Sequence, residues 1–305
     1  MPFSASDRIG GPLSRVIDIM LPYYGDVDLM KAAVESVISQ TEAGWRLVVI
    51  DDGFPDAEPA RWFGEMTDPR IIYLRNEANL GANGNYRKAV DLVESEWFVM
   101  MGADDLMEPD YLRTVSRAID DLDVDIIQPG VDVVDEHGRS VRPLADRLKK
   151  ILSFTAADGG TVLEGETVVA SLLRANWAYF PSLVWRTATV RRVGFRNGLD
   201  VVQDLALILD ILAGGGRMAI LPERVFRYRR HSGSDSSVRA LDGRRFDEER
   251  RFFSEESDRF AARGWGRAAR AGRWRITSRL NAASLIPKAI TKGGSPRALA
   301  AHVFG

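Results

Sequence analysis

The chain has 305 residues, 45% of them apolar, with 41 basic and 43 acidic side chains and a net charge of −2. That balance describes a soluble globular protein of one large or two small domains and excludes a disordered or fibrous chain. With no cysteine there is no disulfide framework and no thiolate metal site, which fits a reducing cytosol. Neither a leader peptide nor a bilayer-spanning run is read from the sequence.

Residues 1–14, with Gly10-Gly11-Pro12, read as a loose arm. Val16-Ile17-Asp18-Ile19-Met20-Leu21 is a short apolar strand closed by Pro22. Leu29, Ala32, Ala33 and Val37 recur at helical spacing between Asp28 and about Thr41. A second strand, Arg46 to Ile50, ends at Asp51-Asp52, and a turn-rich stretch with Pro55 and Pro59 leads to a third, Ile71 to Leu74. A polar loop, Asn76 to Asn83, precedes a helix through Tyr86 to Val93. The fourth strand, Trp97 to Met101, then leads through Gly102-Ala103 to Asp104-Asp105. Strand, helix, strand with short linkers is the pattern of a parallel sheet flanked by helices.

A helix over 110–121 and the run Val124 to Gln128 continue the pattern. Val131 to Val134 with Glu136-His137-Gly138 reads as an edge hairpin, followed by a basic-apolar patch from Arg142 to Phe154. A helix over 168–173 and a strand over 182–185 come next. An apolar helix over 205–212, stopped by Gly214-Gly215-Gly216, precedes short strands at 218–221 and 225–228. Beyond Asp242 the spacing is helical. From Arg259 onward lie ten of the basic residues and none of the acidic ones, a basic tail on an acidic body.

Asp51-Asp52 and Asp104-Asp105 each follow an apolar run. Adjacent carboxylates at a buried strand end need a cation, a donor or water, because an unpaired buried charge is too costly. Ligands of open α/β sheets bind outside the carboxyl ends of the strands, so two acidic strand ends point to one polar site with a divalent metal as its guest.

The order of these features resembles family 2 glycosyltransferases. The resemblance rests on Ile19-Met20-Leu21-Pro22-Tyr23-Tyr24, Glu35-Ser36-Val37-Ile38-Ser39-Gln40-Thr41, Val49-Ile50-Asp51-Asp52-Gly53, Arg75-Asn76-Glu77-Ala78-Asn79-Leu80-Gly81-Ala82-Asn83 and Gly102-Ala103-Asp104-Asp105-Leu106. It is dense over 16–112 and patchier to 235. It implies an α/β protein of GT-A fold, a Rossmann-like, mostly parallel sheet flanked by helices, with a helical C-terminal extension. The implied division is an arm (1–14), a catalytic domain (15–235, its nucleotide-sugar half 15–128 and its acceptor half 129–235) and a basic extension (236–305).

The implied reaction is metal-dependent, inverting transfer of a sugar from a UDP- or dTDP-sugar to a hydroxyl of a glycan or lipid-linked acceptor in cell-envelope polysaccharide synthesis. Mn2+ or Mg2+ would neutralise the departing diphosphate. By the resemblance Asp105 is the main metal ligand, with Asp104 reaching the metal or the ribose. His231 would be a further ligand or a donor to phosphate, and Arg229 and Arg230 would add charge near the diphosphate. Gly102 stands where the family's commonest pattern has an Asp. Pro22, Tyr24 and Asp52 would form the base pocket, Asp52 accepting the imide N–H of uracil or thymine. Tyr24 reads equally as a stacking platform or a half-buried core aromatic. Asn79, Gly81 and Asn83 would shape the loop that faces ribose and diphosphate, or simply make a turn. Asp204 matches the second residue of the family's Glu-Asp motif, Gln203 replacing the Glu. It reads as the catalytic base, or without the resemblance as a helix cap.

Trp177 and Tyr179, in an aromatic cluster at 176–181, would stack on an acceptor sugar or else fill core. In the tail, Trp265, Trp274 and several aliphatics interleave with Arg267, Arg270, Arg273, Arg275 and Arg279. This suits an interfacial helix on anionic lipid, with packing on the domain or a homodimer contact as the simpler alternatives. The expected location is the cytoplasm, with attachment at the inner face of the membrane as a further expectation; no nucleic-acid partner is expected. Two rivals stay open: a nucleotidyltransferase, which would want a Gly-rich basic loop where Tyr23-Tyr24-Gly25-Asp26 stands, and a degenerate sugar-nucleotide or glycan-binding subunit, for which Gly102 and Gln203 would speak.

Overall fold

The structure, a computed structural model, describes residues 15–141, 151–230, 244–292 and 295–304. One half of its sheet is parallel: β1 (Ile17–Tyr23) lies between β2 (Trp45–Asp51) and β4 (Trp97–Met100), and β3 (Ile71–Arg75) flanks β2. Parallel neighbours need crossovers, supplied by α1 (Val27–Ile38), α2 (Glu58–Gly64) and α3 (Gly81–Leu92). β1, β2 and β4 are buried on both faces, which is why they read as apolar runs, while the edge strand β3 is half-buried. Ile19 and Leu21 pack toward one core, Met20 toward the other, as a period of two requires.

The chain then builds β5 (Leu106–Met107), α4 (Tyr111–Asp121), β6 (Ile126–Val134), β7 (Thr161–Leu163) and α5 (Gly165–Ala175). After these come β8 (Val184–Arg186), α6 (Thr187–Val193), α7 (Gln203–Ala213) and β9 (Met218–Arg229). β8 inserts antiparallel between β4 and β6, and β9 runs parallel to β6 while pairing antiparallel with both β5 and β7. The path across the sheet is β3–β2–β1–β4–β8–β6–β9–β5.

The differences from the sequence reading have local causes. Pro59 does not break structure but occupies the first turn of α2, where its missing N–H costs nothing. The two short strands expected at 218–228 are one strand, β9. Val131 to Val134 form the expected hairpin only in short form: Val134 bridges Ser140 in antiparallel, Val141 donates its N–H to Val133 O at 2.9 Å, and Asp135 N–H to Arg139 O at 2.9 Å closes the turn. On their other side they pair in parallel with 226–229 inside the sheet and so are not an edge. The strands slip register at Gly130, where a Cβ would stand 2.8 Å from Glu223 O. Helix α3 begins at Gly81 rather than near Tyr86, and so takes in Asn83. The arm 1–14, most of the basic-apolar patch (142–150) and His231 lie outside the described residues.

The tail forms α8 (Arg244–Ala262), α9 (Gly266–Trp274), α10 (Ile276–Lys292) and α11 (Pro296–Phe304). Phe252, Phe253 and Phe260 of α8 and Ala268, Ala269 and Ala271 of α9 join the same core as α5 and α7. Of the readings left open for the tail, packing on the domain is the one observed for these inner faces. A smaller core of Phe246, Ala282 and Leu299 binds α10 and α11 to α8. Among the described residues no helix is long and apolar enough to cross a membrane.

Candidate active site

The carboxyl ends of β1, β2 and β4 open at one edge of the parallel half. Tyr23 sits in register with Asp51, and Met101, just past β4, donates its N–H to Met20 O at 2.8 Å. Pro22, Tyr24, Asp52 and the turn Gly102-Ala103-Asp104-Asp105 therefore leave the sheet together, at the end where such sheets bind ligands.

Asp105 is 1% exposed. Its Oδ1 accepts the N–H of Arg229 at 2.8 Å, and its Oδ2 is buried without a hydrogen-bond partner among the described residues. Burial pushes this carboxyl well above the usual carboxylate range, and the charge of Asp104 adds to the rise. Asp18, at the other end of β1, shows the contrast. It is as deeply buried, yet it is held by Arg46 at 2.6 and 3.0 Å, by the N–H groups of Glu94 and Ser95 and by the Ser95 hydroxyl. Burial alone would raise Asp18, but these donors hold it below its ordinary value. Asp18 is a satisfied structural acid; Asp105 is an unsatisfied one that wants a cation or donor from outside.

The side chains of Asp104 and Asp105 occupy the space beside Gly102. A Cβ there would stand 2.5 Å from Asp105 Oδ2 and 3.0 Å from Asp104 Oδ1. Both acid oxygens converge on the position a side chain would fill. Among the described residues no group of three or more His, Asp or Glu is arranged to hold a metal, so the acids available here are Asp104 and Asp105.

Arg229 is not a mobile charge for a diphosphate. It is 7% exposed, and its guanidinium donates to Asp104 O at 2.8 Å and Glu136 O at 2.9 Å, pinning the acidic turn to the turn after β6. Arg230 is exposed, its guanidinium 5.6 Å from the Tyr228 ring, which in turn lies 5.3 Å from the Tyr179 ring. Tyr228 had drawn no attention in the sequence, where it ends an ordinary strand. Trp177 does not join this group. It is 2% exposed, its indole N–H donates to Ser171 Oγ at 3.1 Å, and Phe154 packs edge-on against it. Its ring has no free face for a sugar, which corrects the expectation that it lines the acceptor site.

On the nucleotide side, Asp52 is buried and its Oδ1 accepts from Asn76 Nδ2 at 2.7 Å and Leu80 N at 2.8 Å. Asn76 also bonds Asn85 and Lys88, and Asn85 donates to Ile50 O, so a buried polar network ties the 76–80 loop to β2. Asn76, Asn85 and Lys88 were not singled out from sequence; the signal was two asparagines on helix and loop positions that turn inward. Tyr24 is 57% exposed, braced edge-on by Phe54 at 5.6 Å, and is not a core aromatic. Asn79 Oδ1 accepts the N–H of Gly81 at 2.9 Å, and Gly81 takes φ +72 at the start of α3. Asn83 points elsewhere: its Nδ2 donates to Leu199 O. A cleft of about 350 Å³ lies here, between Leu80 to Gly84 and Arg87 on one side and Gly198 and Asp200 on the other.

Asp204 stands half-buried in the first turn of α7. The loop before it reaches α3 through Asn83 to Leu199 O and Arg87 to Arg196 O at 3.1 Å. Thus the segment carrying Asp204 is tied to the nucleotide-side helix, from a position 100 residues and more along the chain.

A sequence model of Glycosyl transferase family 2 matches residues 18–174, which span the parallel half, the acidic turn and α5. The chain belongs to that family. Over 228 residues it is 27% identical to the succinoglycan biosynthesis protein ExoO of Rhizobium meliloti, covering 74% of this chain but only 64% of that protein's length. The fold is that of GT-A enzymes. S. aureus TarS 1–349, solved with UDP-GlcNAc, aligns with a TM-score of 0.62 at 16% identity, over 79% of this chain and 66% of that one. The mannosyltransferase PcManGT of Pyrobaculum calidifontis, solved with GDP-Man and Mn2+, aligns with a TM-score of 0.59 at 16% identity, over 93% and 77%.

Proposed function

We propose that this chain transfers a sugar from a UDP- or dTDP-sugar to a hydroxyl of a glycan or lipid-linked acceptor, with inversion, in polysaccharide synthesis. The carrying observation is the buried, unpartnered Oδ2 of Asp105 beside Asp104 at the mouth of the parallel strands. A hard-cation ligand set is made of such oxygens, so Asp105 and Asp104 fit Mn2+ or Mg2+, with His231 as an added ligand. Bound there, the cation would supply neutralisation of the leaving diphosphate.

The chain's own residues do the rest. Tyr24, presented on the surface by Phe54, stacks on the base, and Asp52, whose Oδ1 already holds the loop, offers its other oxygen to the imide N–H. Pro22, Asn79 and Gly81 shape the donor side. Asp204 takes the proton of the acceptor hydroxyl as it attacks the anomeric carbon from the side opposite the leaving group. Tyr179, resting on Tyr228 beside Arg230, receives the acceptor sugar. The complexes of TarS with UDP-GlcNAc and of PcManGT with GDP-Man support a nucleotide-sugar donor without choosing the nucleotide, and the role of ExoO in succinoglycan biosynthesis supports polysaccharide synthesis.

The tail supports a peripheral membrane position. Its inner faces are consumed by packing, but Trp274 stays 64% exposed beside a shallow groove of about 300 Å³ lined by Arg174, Arg267, Arg270 and Ala271. Cations around an exposed indole suit an anionic headgroup layer.

The deciding experiment incubates the protein with UDP-, dTDP- and GDP-sugars, with and without Mn2+, over an acceptor panel. Metal-dependent release of UDP or dTDP with formation of an inverted glycoside is expected. Tight nucleotide binding without turnover on any acceptor would make the chain a binding subunit and overturn the proposal.

A further inference from the structure

Helix α7 carries Asp204 in its first turn, yet its N-cap residue, Val202, has no side chain able to accept a hydrogen bond. The first N–H groups of a helix need an acceptor from somewhere. In the first turn, Leu205 N–H is accepted by Asp204 Oδ1 at 2.7 Å; for the N-cap N–H of Val202 and the two N–H groups before it, the acceptor comes from the tail. The carboxylate of Glu248, on α8, accepts the N–H of Asp200 at 3.0 Å, of Val201 at 2.7 Å and of Val202 at 3.1 Å. Its negative charge also meets the positive end of the α7 dipole.

The same face of α8 repeats the grip one and two turns on. Glu248, Phe252, Glu256 and Arg259 follow at helical spacing, so they lie in one stripe. Glu256 Oε1 accepts from Arg196 Nη1 at 2.7 Å, and both Arg196 and Arg259 pair with Asp210 of α7. Segment 196–202 is thus a strap held by α3 on one side, through Arg87 and Asn83, and by α8 on the other, through Glu256 and Glu248. It also forms the Gly198 and Asp200 wall of the cleft.

We infer that Glu248 is a positioning residue for the transfer reaction: from the C-terminal helix it fixes the strap and the first turn of α7, and so sets where the Asp204 carboxylate stands relative to the donor side. This rests on the reading of Asp204 as the base. The tail is then part of the acceptor machinery and not only a docking appendage. A misplacement of about 1 Å in a reacting group costs on the order of 10²-fold in rate, so three backbone bonds at the root of the catalytic turn matter to turnover.

The test compares Glu248→Ala, Glu248→Gln and, as a control on the exposed side of the same helix, Glu255→Ala. Two readouts are taken: amide hydrogen exchange of the peptide over 198–205, and release of UDP or dTDP from UDP-GlcNAc, UDP-glucose and dTDP-glucose as the sugar passes to a hydroxyl of the acceptor panel. In Glu248→Ala the amides of 200–202 exchange about tenfold faster or more while β1 and β4 keep their protection. Its kcat falls about tenfold or more, with donor KM within about twofold of wild type. Glu248→Gln keeps an acceptor oxygen and recovers part of both losses; Glu255→Ala changes neither. Unchanged exchange at 200–202 in Glu248→Ala overturns the inference, as does faster exchange with undiminished kcat. If the wild type releases no nucleoside diphosphate from any donor, the functional reading has failed, and the exchange readout alone decides whether Glu248 holds the strap.

Discussion

Arg229 donates its backbone N–H to Asp105 Oδ1 at 2.8 Å, and through this bond strand β9 fixes an acid delivered by β4. The bond satisfies one oxygen and leaves Oδ2 facing the space above Gly102. The carboxyl is held well above the usual range by burial and by Asp104. An acid whose folded pKa is raised opposes folding at neutral pH, where the unfolded chain ionises it freely.

Asp105→Asn keeps an oxygen for the Arg229 N–H and removes the buried charge. The metal-free variant is expected to melt roughly 2–4 °C higher than the wild type for each kcal/mol relieved. Addition of Mn2+ on top of UDP is expected to raise the melting temperature of the wild type further by mass action and to add nothing to the effect of UDP alone on the variant. Calorimetry of both proteins with and without Mn2+ checks this. A variant that melts lower and still responds to Mn2+ would remove Asp105 from the metal site.

How far this site was legible in the sequence depends on the residue. Asp52 and Asp105 stood out because each interrupts an apolar run, and a buried strand does not end in acid without cause. Asn76 and Asn85 did not, since a polar residue in a loop or on a helix looks the same in sequence whether it turns inward or outward. Trp177 was misplaced for the complementary reason: composition says nothing about which aromatic is covered, and its Ser171 partner sits on the preceding helix. Glu248 was invisible. It lies in a charged run, and its partners are backbone N–H groups 46 to 48 residues away. The short β5 has two residues and so carries no periodicity, and β9 reads as two strands because the apolar runs 218–221 and 225–228 are separated by Pro222, Glu223 and Arg224, where the pairing with β6 bulges.

Asp204→Asn removes the proton acceptor while preserving shape. The expected result is a fall in kcat of about 10²-fold or more, with UDP affinity unchanged by isothermal titration. Wild-type turnover in this variant would exclude Asp204 as the base and leave it as a first-turn acid complementing the helix dipole.

Asp52→Asn separates two duties of one side chain. The amide oxygen still accepts from Asn76 Nδ2 and Leu80 N, so the 76–80 loop is expected to stay in place. The amide nitrogen no longer accepts an imide N–H, and an unpaired polar contact of this kind costs about 1–3 kcal/mol. UDP affinity is therefore expected to fall about tenfold, with CDP affected least, and a titration with both nucleotides reads this directly. Equal losses for the two would place the base away from Asp52.

For the tail, the combined change Arg267→Glu, Arg270→Glu and Trp274→Ala alters the groove without touching the buried alanines of α9. Each cation near an anionic surface is worth about 1 kcal/mol, or roughly fivefold. Sedimentation with phosphatidylglycerol-rich vesicles is expected to drop by more than tenfold, while phosphatidylcholine vesicles bind neither protein. Unaltered binding to the anionic vesicles would show that this face does not meet the membrane.

The attachment of the last helix should depend on pH. His302, on α11, is 1% exposed, with Nδ1 3.1 Å from Phe246 O and Nε2 2.7 Å from Ser278 Oγ. Burial pushes the imidazole below its ordinary value of 6.5, and Arg275 adds to this against the opposing pull of Glu249. A base whose folded pKa is depressed binds fewer protons when folded than when unfolded. Stability therefore rises with pH across the interval between the two values. The contribution is complete above about 6.5 and is lost as pH falls below it. Protection factors over 295–304, taken against the intrinsic amide rate at each pH, are expected to fall as the pH is lowered through this range, ahead of those in the parallel sheet. His302→Gln, which keeps a hydrogen-bonding side chain but does not titrate, is expected to flatten that dependence. A variant that retains the full pH response would assign it to another group.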